Sequence, residues 1–198
     1  YIADRRRPAA QQHATLPYYV FLHCNAGRVP AQKLIRTALK NITLRPAAPQ
    51  DEALLLVIYG STRTEELTRV PDWSDEQKQA FIAHQFFAQQ DYYKKVYPDA
   101  AYLIIQSGDQ AAGRLYVERQ LIEGTIRIID IALLAEFRSQ GIGEYLLRSL
   151  QEEARQAGKT LSIHVEKFNR ALNFYKRLGF EIIHETHGVY LLMEWKPS

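Results

Sequence analysis

From residue 42 onward the apolar and polar positions of this chain fall into short, recognisable runs. Residues 42–46 set Ile42 and Leu44 against Thr43 and Arg45, the two-residue period of a strand. Residues 51–69 predict a helix with Asp51 near its start. Residues 75–96 predict a longer one, with Phe81, Ile82, Gln85, Phe86 and Tyr93 on one stripe and Pro98 as its stop. Residues 101–106 and 111–118 read as strands flanking Ser107-Gly108-Asp109-Gln110, a hairpin signal. Residues 125–134 are apolar on both faces, as a buried strand is. Residues 141–157 carry Ile142, Leu146, Leu147, Leu150 and Ala154 on one helical stripe, which Gly158 ends. A strand at 161–166, a short helix bearing Tyr175, and strands at 181–185 and 189–195 around His187-Gly188 complete the order. No internal repeat or low-complexity run occurs.

One junction in this order carries chemistry. The strand Asp130-Ile131-Ala132-Leu133-Leu134 runs into Arg138-Ser139-Gln140-Gly141-Ile142-Gly143 and then a helix. The first N–H groups of a helix have no partner within it, and the helix dipole favours an anion there. Glycines allow close backbone approach, and Arg138 adds a cation suited to phosphate. The expected ligand bears a pyrophosphate. A dinucleotide fold requires a third glycine where Leu146 stands, and a P-loop requires Lys-Ser/Thr where Glu144-Tyr145 stand.

Arg-x-x-Gly-x-Gly after such a strand resembles the acyl-CoA motif of the GNAT superfamily of N-acetyltransferases. Residues 161–180, LSIHVEKFNRALNFYKRLGF, resemble the same family: strand, crossover turn, a helix with Ala171 and Tyr175, then Leu178-Gly179-Phe180. The resemblance spans about residues 42–195. It implies an α/β fold with a mixed, mostly antiparallel sheet of about six to seven strands and about four flanking helices. Two central parallel strands would splay at the cofactor site. It implies acetyl-CoA as cosubstrate, bound by the main chain of Ile131, Ala132 and Leu133 and by the turn Arg138, Ser139, Gln140, Gly141, Ile142 and Gly143. Tyr175 stands where the family's Tyr gives a proton to the departing thiolate. The family often has Asn seven residues before that Tyr; here Phe168 holds the place and Asn169 follows it. Asn169 is carried as a cofactor contact, with a helix N-cap as its other role.

The implied reaction is direct acetyl transfer to a primary amine in a ternary complex, with a main-chain N–H near Leu133 stabilising the oxyanion. A phenol is protonated at neutral pH, so Tyr175 suits an acid. For the base, Asp130 is a candidate, because a carboxylate within an apolar strand is costly unless it has a use or a partner. An ion pair with Arg127 or Arg114 is the alternative. Glu118, His164 and Glu166 are further candidates, as is a water without a single base. The first two helices, their loop and the last hairpin would form the acceptor pocket. There Trp73, Tyr92, Tyr93 and Tyr97 cage a cation or simply pack.

Composition refines this picture. At 46% apolar residues the chain can build a core, and no run of about eighteen apolar residues predicts a membrane span. The lone cysteine, Cys24, excludes an internal disulfide and points to a reducing, cytoplasmic setting. Its neighbour His23 would face the other side of a strand, so a catalytic pair is not indicated. Residues 1–45 hold eight Lys or Arg against one acid, net +7. The rest holds seventeen basic and twenty-one acidic residues, net −4. The domain at 42–198 is therefore expected to favour a small-molecule or peptide amine over nucleic acid.

Residues 1–41 read as a basic extension with an apolar run at 16–22 and a helix at 30–40. The face made by Ala31, Leu34, Ile35, Ala38 and Leu39 would dock on the domain or on a second subunit of a homodimer. His184-Glu185-Thr186-His187 matches no zinc spacing, so no metal is expected. Two other classes fit the chain: a non-catalytic acyl-CoA-binding module, and a toxin-like acetyltransferase acting on aminoacyl-tRNA, for which the basic extension would supply RNA contacts.

Overall fold

The strand Thr125–Leu133 organises the molecule. In the computed structural model, which describes residues 41–186 and 188–197, it lies at the centre of a seven-stranded sheet. In chain order the strands are β1 (Ile42–Pro46), β2 (Ala101–Ser107), β3 (Gln110–Glu118), β4 (Thr125–Leu133), β5 (Thr160–Glu166), β6 (Glu181–Thr186) and β7 (Tyr190–Trp195). Across the sheet they run β1-β2-β3-β4-β5-β7-β6, and only β4 and β5 are parallel neighbours. The helices are α1 (Glu52–Leu67), α2 (Asp75–Val96), α3 (Ile142–Gln156) and α4 (Leu172–Arg177). This is the implied mixed, mostly antiparallel fold. Of the expected extension at 1–41, residues 1–40, Cys24 among them, lie outside the described residues. Among those described, no helix is long and apolar enough to cross a membrane.

The sheet buries both faces. On one, Leu146, Leu147, Leu150 and Ala154 of α3 and Phe174 and Tyr175 of α4 join Leu115, Val117, Ile126, Ile128, Ile131 and Leu133. On the other, Leu55, Ile58 and Tyr59 of α1 and Phe86 and Tyr93 of α2 join Ile104, Tyr116, Ile129 and Ala132. Strict alternation from Ile126 and Ile128 would send residue 130 to the α3 face. It does not, because the β3–β4 register slips: Tyr116 pairs Asp130 while Val117 pairs Ile128. Ile129 is the extra residue of a β-bulge, and such a slip moves every later side chain to the other face. Ile131 and Leu133 turn to α3, and Asp130 to α1 and α2.

Three local choices fix the frame. Ser74 caps α2 with a capping box closed by Gln77. Gly113 lets β3 approach β4: a Cβ there would meet the Ala132 carbonyl oxygen and come within 3.0 Å of Leu133 Cα. Leu178-Gly179-Phe180 ends α4 as a Schellman motif. The Phe180 N–H donates to Tyr175 O at 3.1 Å, the Gly179 N–H to Lys176 O at 3.0 Å, and Gly179 takes φ 85°. The expected stripe on α2 shifts: Gln89 is fully buried where Phe81 and Ile82 are only partly so. The reason is polar, since Gln89 Oε1 accepts from the buried Arg114 at 2.9 Å.

Candidate functional site

The two parallel strands are neighbours only over their first halves. Pairing runs Thr125–Thr160, Ile126–Leu161, Arg127–Ser162 and Ile128–Ile163, and stops there. Beyond it β4 stays on β3, Leu133 opposite Gly113, while β5 stays on β7, Glu166 opposite Tyr190. A wedge opens between them. Peptide groups along a strand face alternate sides. Leu134 N–H donates to Ala112 O, and the Ala132 carbonyl points at Gly113, so these groups face β3. The peptide groups of Ile131 and Leu133 therefore face the wedge. Ladder groups that leave a sheet need other partners, and the Leu133 carbonyl has one in Arg138 Nε at 2.8 Å.

The glycine turn closes the same end. A single 3-10 turn, Ala135–Phe137, leads to Arg138 in extended conformation, Ser139 at φ 59° and Gly141 at φ 82°, where α3 begins. Left-handed residues before a helix start are the backbone ingredients of an anion-binding concavity. Ser139 and Gln140 are exposed, Ile142 and Gly143 buried. The Arg138 guanidinium also donates from Nη2 to Ser61 O and Oγ, both at 3.1 Å, which fastens the turn to α1.

Tyr175 sits in α4 with no solvent exposure, its ring 5.7 Å from Phe174 and 5.8 Å from Phe180. It shares a buried cluster with Ile131 and Val165, one on each side of the wedge. The Phe180 contact is the hydrophobic clasp that accompanies a Schellman end. Leu178-Gly179-Phe180 thus fixes where Tyr175 stands. Asn169 is buried, and its Oδ1 accepts from Ala171 N–H at 2.8 Å at the start of α4. Phe168, in the place of the family's Asn, is 87% exposed.

On the opposite face, α1 straps the wedge. Its Ser61 holds Arg138, which follows β4; its Glu65 holds Arg170, which follows β5, at 2.6 Å. On the same helix Arg63 pairs with Glu66 at 2.9 Å, and Arg63 Nε donates to Tyr59 Oη at 3.0 Å. Asp130 is below them, 1% exposed, in a forked pair with Arg114: Nη2 to Oδ2 at 2.8 Å and Nε to Oδ1 at 3.3 Å. Arg114 lies over the Tyr59 and Tyr116 rings, 5.6 and 5.3 Å from their centroids. Burial alone would lower the Arg114 pKa, but Asp130, Tyr116 and Tyr93 outweigh it and hold the guanidinium ionised.

The other sequence candidates separate clearly. Glu118 is buried at the far end of β3, accepting the N–H groups of Gln120 and Leu121. His164 Nδ1 lies 2.6 Å from Arg127 Nη1, and burial, with Arg127 and His184 nearby, pushes its pKa down to about 4. It is neutral at pH 7, with Nδ1 accepting. Glu166 is half-buried at the end of β5. Burial raises its pKa, Arg63 opposes this and Glu66 adds to it.

The aromatic cage is not assembled. Trp73 precedes α2 and Tyr97 follows it, and 22 helical residues set them about 33 Å apart. Trp73 packs on Phe81 at 5.5 Å, and Tyr93 is a core residue edge-on to Tyr116. A cavity of about 400 Å³ does open beside Phe86, Phe87, Tyr102 and Tyr116, but over β2 and β3, with the buried Arg114–Asp130 pair between it and the wedge. Among the described residues no group of three or more potential metal ligands forms; His187 lies outside them.

This architecture has relatives. The acetyltransferase (GNAT) family profile matches residues 65–180, more than half of the sequence, and the chain belongs to that family. The fold is similar to that of the PaiA N-acetyltransferase from Thermoplasma acidophilum in complex with coenzyme A, at 18% identity and TM-score 0.58, covering 79% of this chain and 99% of that one. An acetyltransferase from Thermus thermophilus gives 17% identity and TM-score 0.57, covering 79% and 97%. The ribosomal-protein-S18-alanine N-acetyltransferase from Escherichia coli gives 17% and 0.53, covering 79% and 94%. No relative is found among curated protein sequences.

Proposed function

We propose that this acyltransferase moves an acetyl group from acetyl-CoA to a primary amine in a ternary complex. The observation that carries the proposal is the parting of β4 from β5 after Ile128 and Ile163, directly before a helix that starts on a left-handed glycine. The residues present fit the cosubstrate. An amide-bearing arm can lie along the peptide groups of Ile131 and Leu133, with Ala132 between them. The turn Ser139, Gln140, Gly141, Ile142 and Gly143 offers N–H groups to a pyrophosphate. Arg138 holds that turn in place through Leu133 and Ser61. Asn169 orders the start of α4 beside the wedge. A similar fold binds coenzyme A in the Thermoplasma PaiA enzyme.

In the transfer, the neutral amine nitrogen bonds to the thioester carbonyl carbon and the carbon–sulfur bond breaks. The Leu133 N–H, aimed into the wedge, stabilises charge growing on the carbonyl oxygen. Tyr175, a phenol in an apolar pocket, supplies the proton to the departing thiolate. Asp130 keeps Arg114 and the bulged strand in position. The acceptor reaches the wedge from the α1 face, where Glu66 and Glu166 favour a cationic amine, small or at a peptide N-terminus.

The exposed Phe168 favours a second reading, a module that binds acyl-CoA without turnover. One experiment separates the two: thiol release from acetyl-CoA across small amines, polyamines, aminoglycosides and peptide N-termini, beside calorimetric CoA binding. Turnover with one amine class establishes the enzyme; tight binding without turnover establishes the module.

A further inference from the structure

We propose that Glu166 is the group that takes the proton from the acceptor amine, an assignment that rests on the acetyl-transfer reading. β5 alternates: Leu161, Ile163 and Val165 belong to the buried α3-side cluster, so Ser162, His164 and Glu166 face α1. Extending the parallel register from Ile128–Ile163 past the Ile129 bulge sets Val165 level with Ile131 and Glu166 across the wedge from Ala132, on the α1 face. It is thus a carboxylate at the rim where the reacting carbonyl would lie, on the acceptor side.

Its rivals on that face are committed elsewhere. Asp130 is sealed in its pair with Arg114. Glu66 is paired with Arg63. His164 shares its Nδ1 with Arg127. Glu118 is held by two backbone N–H groups away from the wedge. The Glu166 carboxylate alone makes no hydrogen bond, and no ion pair within 4 Å, with another described residue. The charged and titratable groups around it are Arg63 and Glu66 from α1, His164 with Arg127 on its own side of the sheet, Lys167 beside it in sequence, and Tyr190 opposite on β7. Burial raises its pKa, Arg63 opposes this and keeps the ionised form accessible, and Glu66 adds to the rise. Glu166 accepts one proton from the ammonium, the freed lone pair forms the carbon–nitrogen bond, the sulfur leaves with the bonding pair and takes the Tyr175 proton, and the second proton shed by the nitrogen as the amide forms passes to the Tyr175 phenolate. The acid returns its proton to solvent between turnovers.

The test compares two acceptor probes in the full chain. Benzylamine is protonated at neutral pH and needs a base; methoxyamine is already neutral and does not. Glu166→Gln should lower the ratio of benzylamine to methoxyamine turnover by about 10²-fold, the lower range of a general-base contribution. It should also leave the benzylamine rate rising with pH as the free-amine fraction rises, so that alkaline pH restores part of the lost turnover, with Kd for acetyl-CoA unchanged as the check on folding. An unchanged ratio, whether both rates fall together or neither falls, overturns the assignment. If the unsubstituted protein binds acetyl-CoA and turns over neither probe, acetyl transfer itself is lost and the base with it.

Discussion

Replacing Asp130 with Asn separates support from chemistry. Both side chains of the Asp130–Arg114 pair are 2% exposed, and their atoms meet at 2.8 Å. At an effective dielectric of 20 the attraction at that distance is about 6 kcal/mol, most of it offset by the cost of burying two charges. Removing one partner leaves the other buried and uncompensated, which costs about 3–5 kcal/mol. Asn keeps an oxygen for Arg114 to donate to, so about 3 kcal/mol is expected for Asp130→Asn and about 5 for Asp130→Ala. Against a total stability of about 5–15 kcal/mol this is a large share. Urea unfolding at pH 7 should show it as a lower midpoint at constant slope. The double variant Arg114→Met, Asp130→Leu should be less destabilised than either charge-stranding single variant, because no lone charge remains. Refutation is specific: a cost below about 1 kcal/mol for Asp130→Asn, joined to a turnover loss above 100-fold, would return the base role to Asp130.

Four further outcomes are expected. Tyr175→Phe should lower turnover by about 10²-fold with little change in acetyl-CoA affinity, and equal loss of both would make the residue a packing element. Gly113→Ala should cost about 2–3 kcal/mol by thermal unfolding, since the new Cβ meets the Ala132 carbonyl and β4 cannot retreat from a buried sheet. Gly141→Val should weaken CoA binding at least tenfold by calorimetry, because φ 82° is strained for a branched residue and the side chain blocks backbone approach. His164 gives a pH signature. Its folded pKa, about 4, lies below the unfolded value of about 6.5, so the unfolded chain binds the extra proton between them. Stability should fall by about 2–3 kcal/mol as pH drops from about 6.5 to 4, and His164→Gln should flatten that limb of the urea midpoint against pH.

Much of the frame was legible in the chain. The two-residue period, the apolar stripe at 141–157 and the Leu-Gly-Phe segment after Tyr175 are local signals, and each formed where its residues stand. The helix from Asp75 to Val96 ends before Pro98, as its sequence predicts. What stayed hidden depends on registry between distant segments. Strand β4 is apolar on both sides, so its pattern gives no warning that the Ile129 bulge turns Asp130 toward α1. The partner of Asp130 was one of two arginines; only the β3 register, which brings Arg114 opposite Ala132, selects it. Gln89 stands outside the predicted stripe, and it is buried with its side-chain oxygen accepting from Arg114. The aromatic cage failed for a reason available beforehand: a 22-residue helix is too long for its two ends to share a pocket. The strap formed by α1 needed Ser61, Glu65, Arg138 and Arg170 to meet across the fold, and no spacing announces that.

The most direct measurement is residue-resolved amide hydrogen exchange at Ile131 and Leu133, with and without saturating CoA. If the cosubstrate lies between β4 and β5, both N–H groups should gain protection on binding, while Ala132, already facing β3, should change little. Saturable CoA binding that leaves Ile131 and Leu133 unprotected would contradict the account.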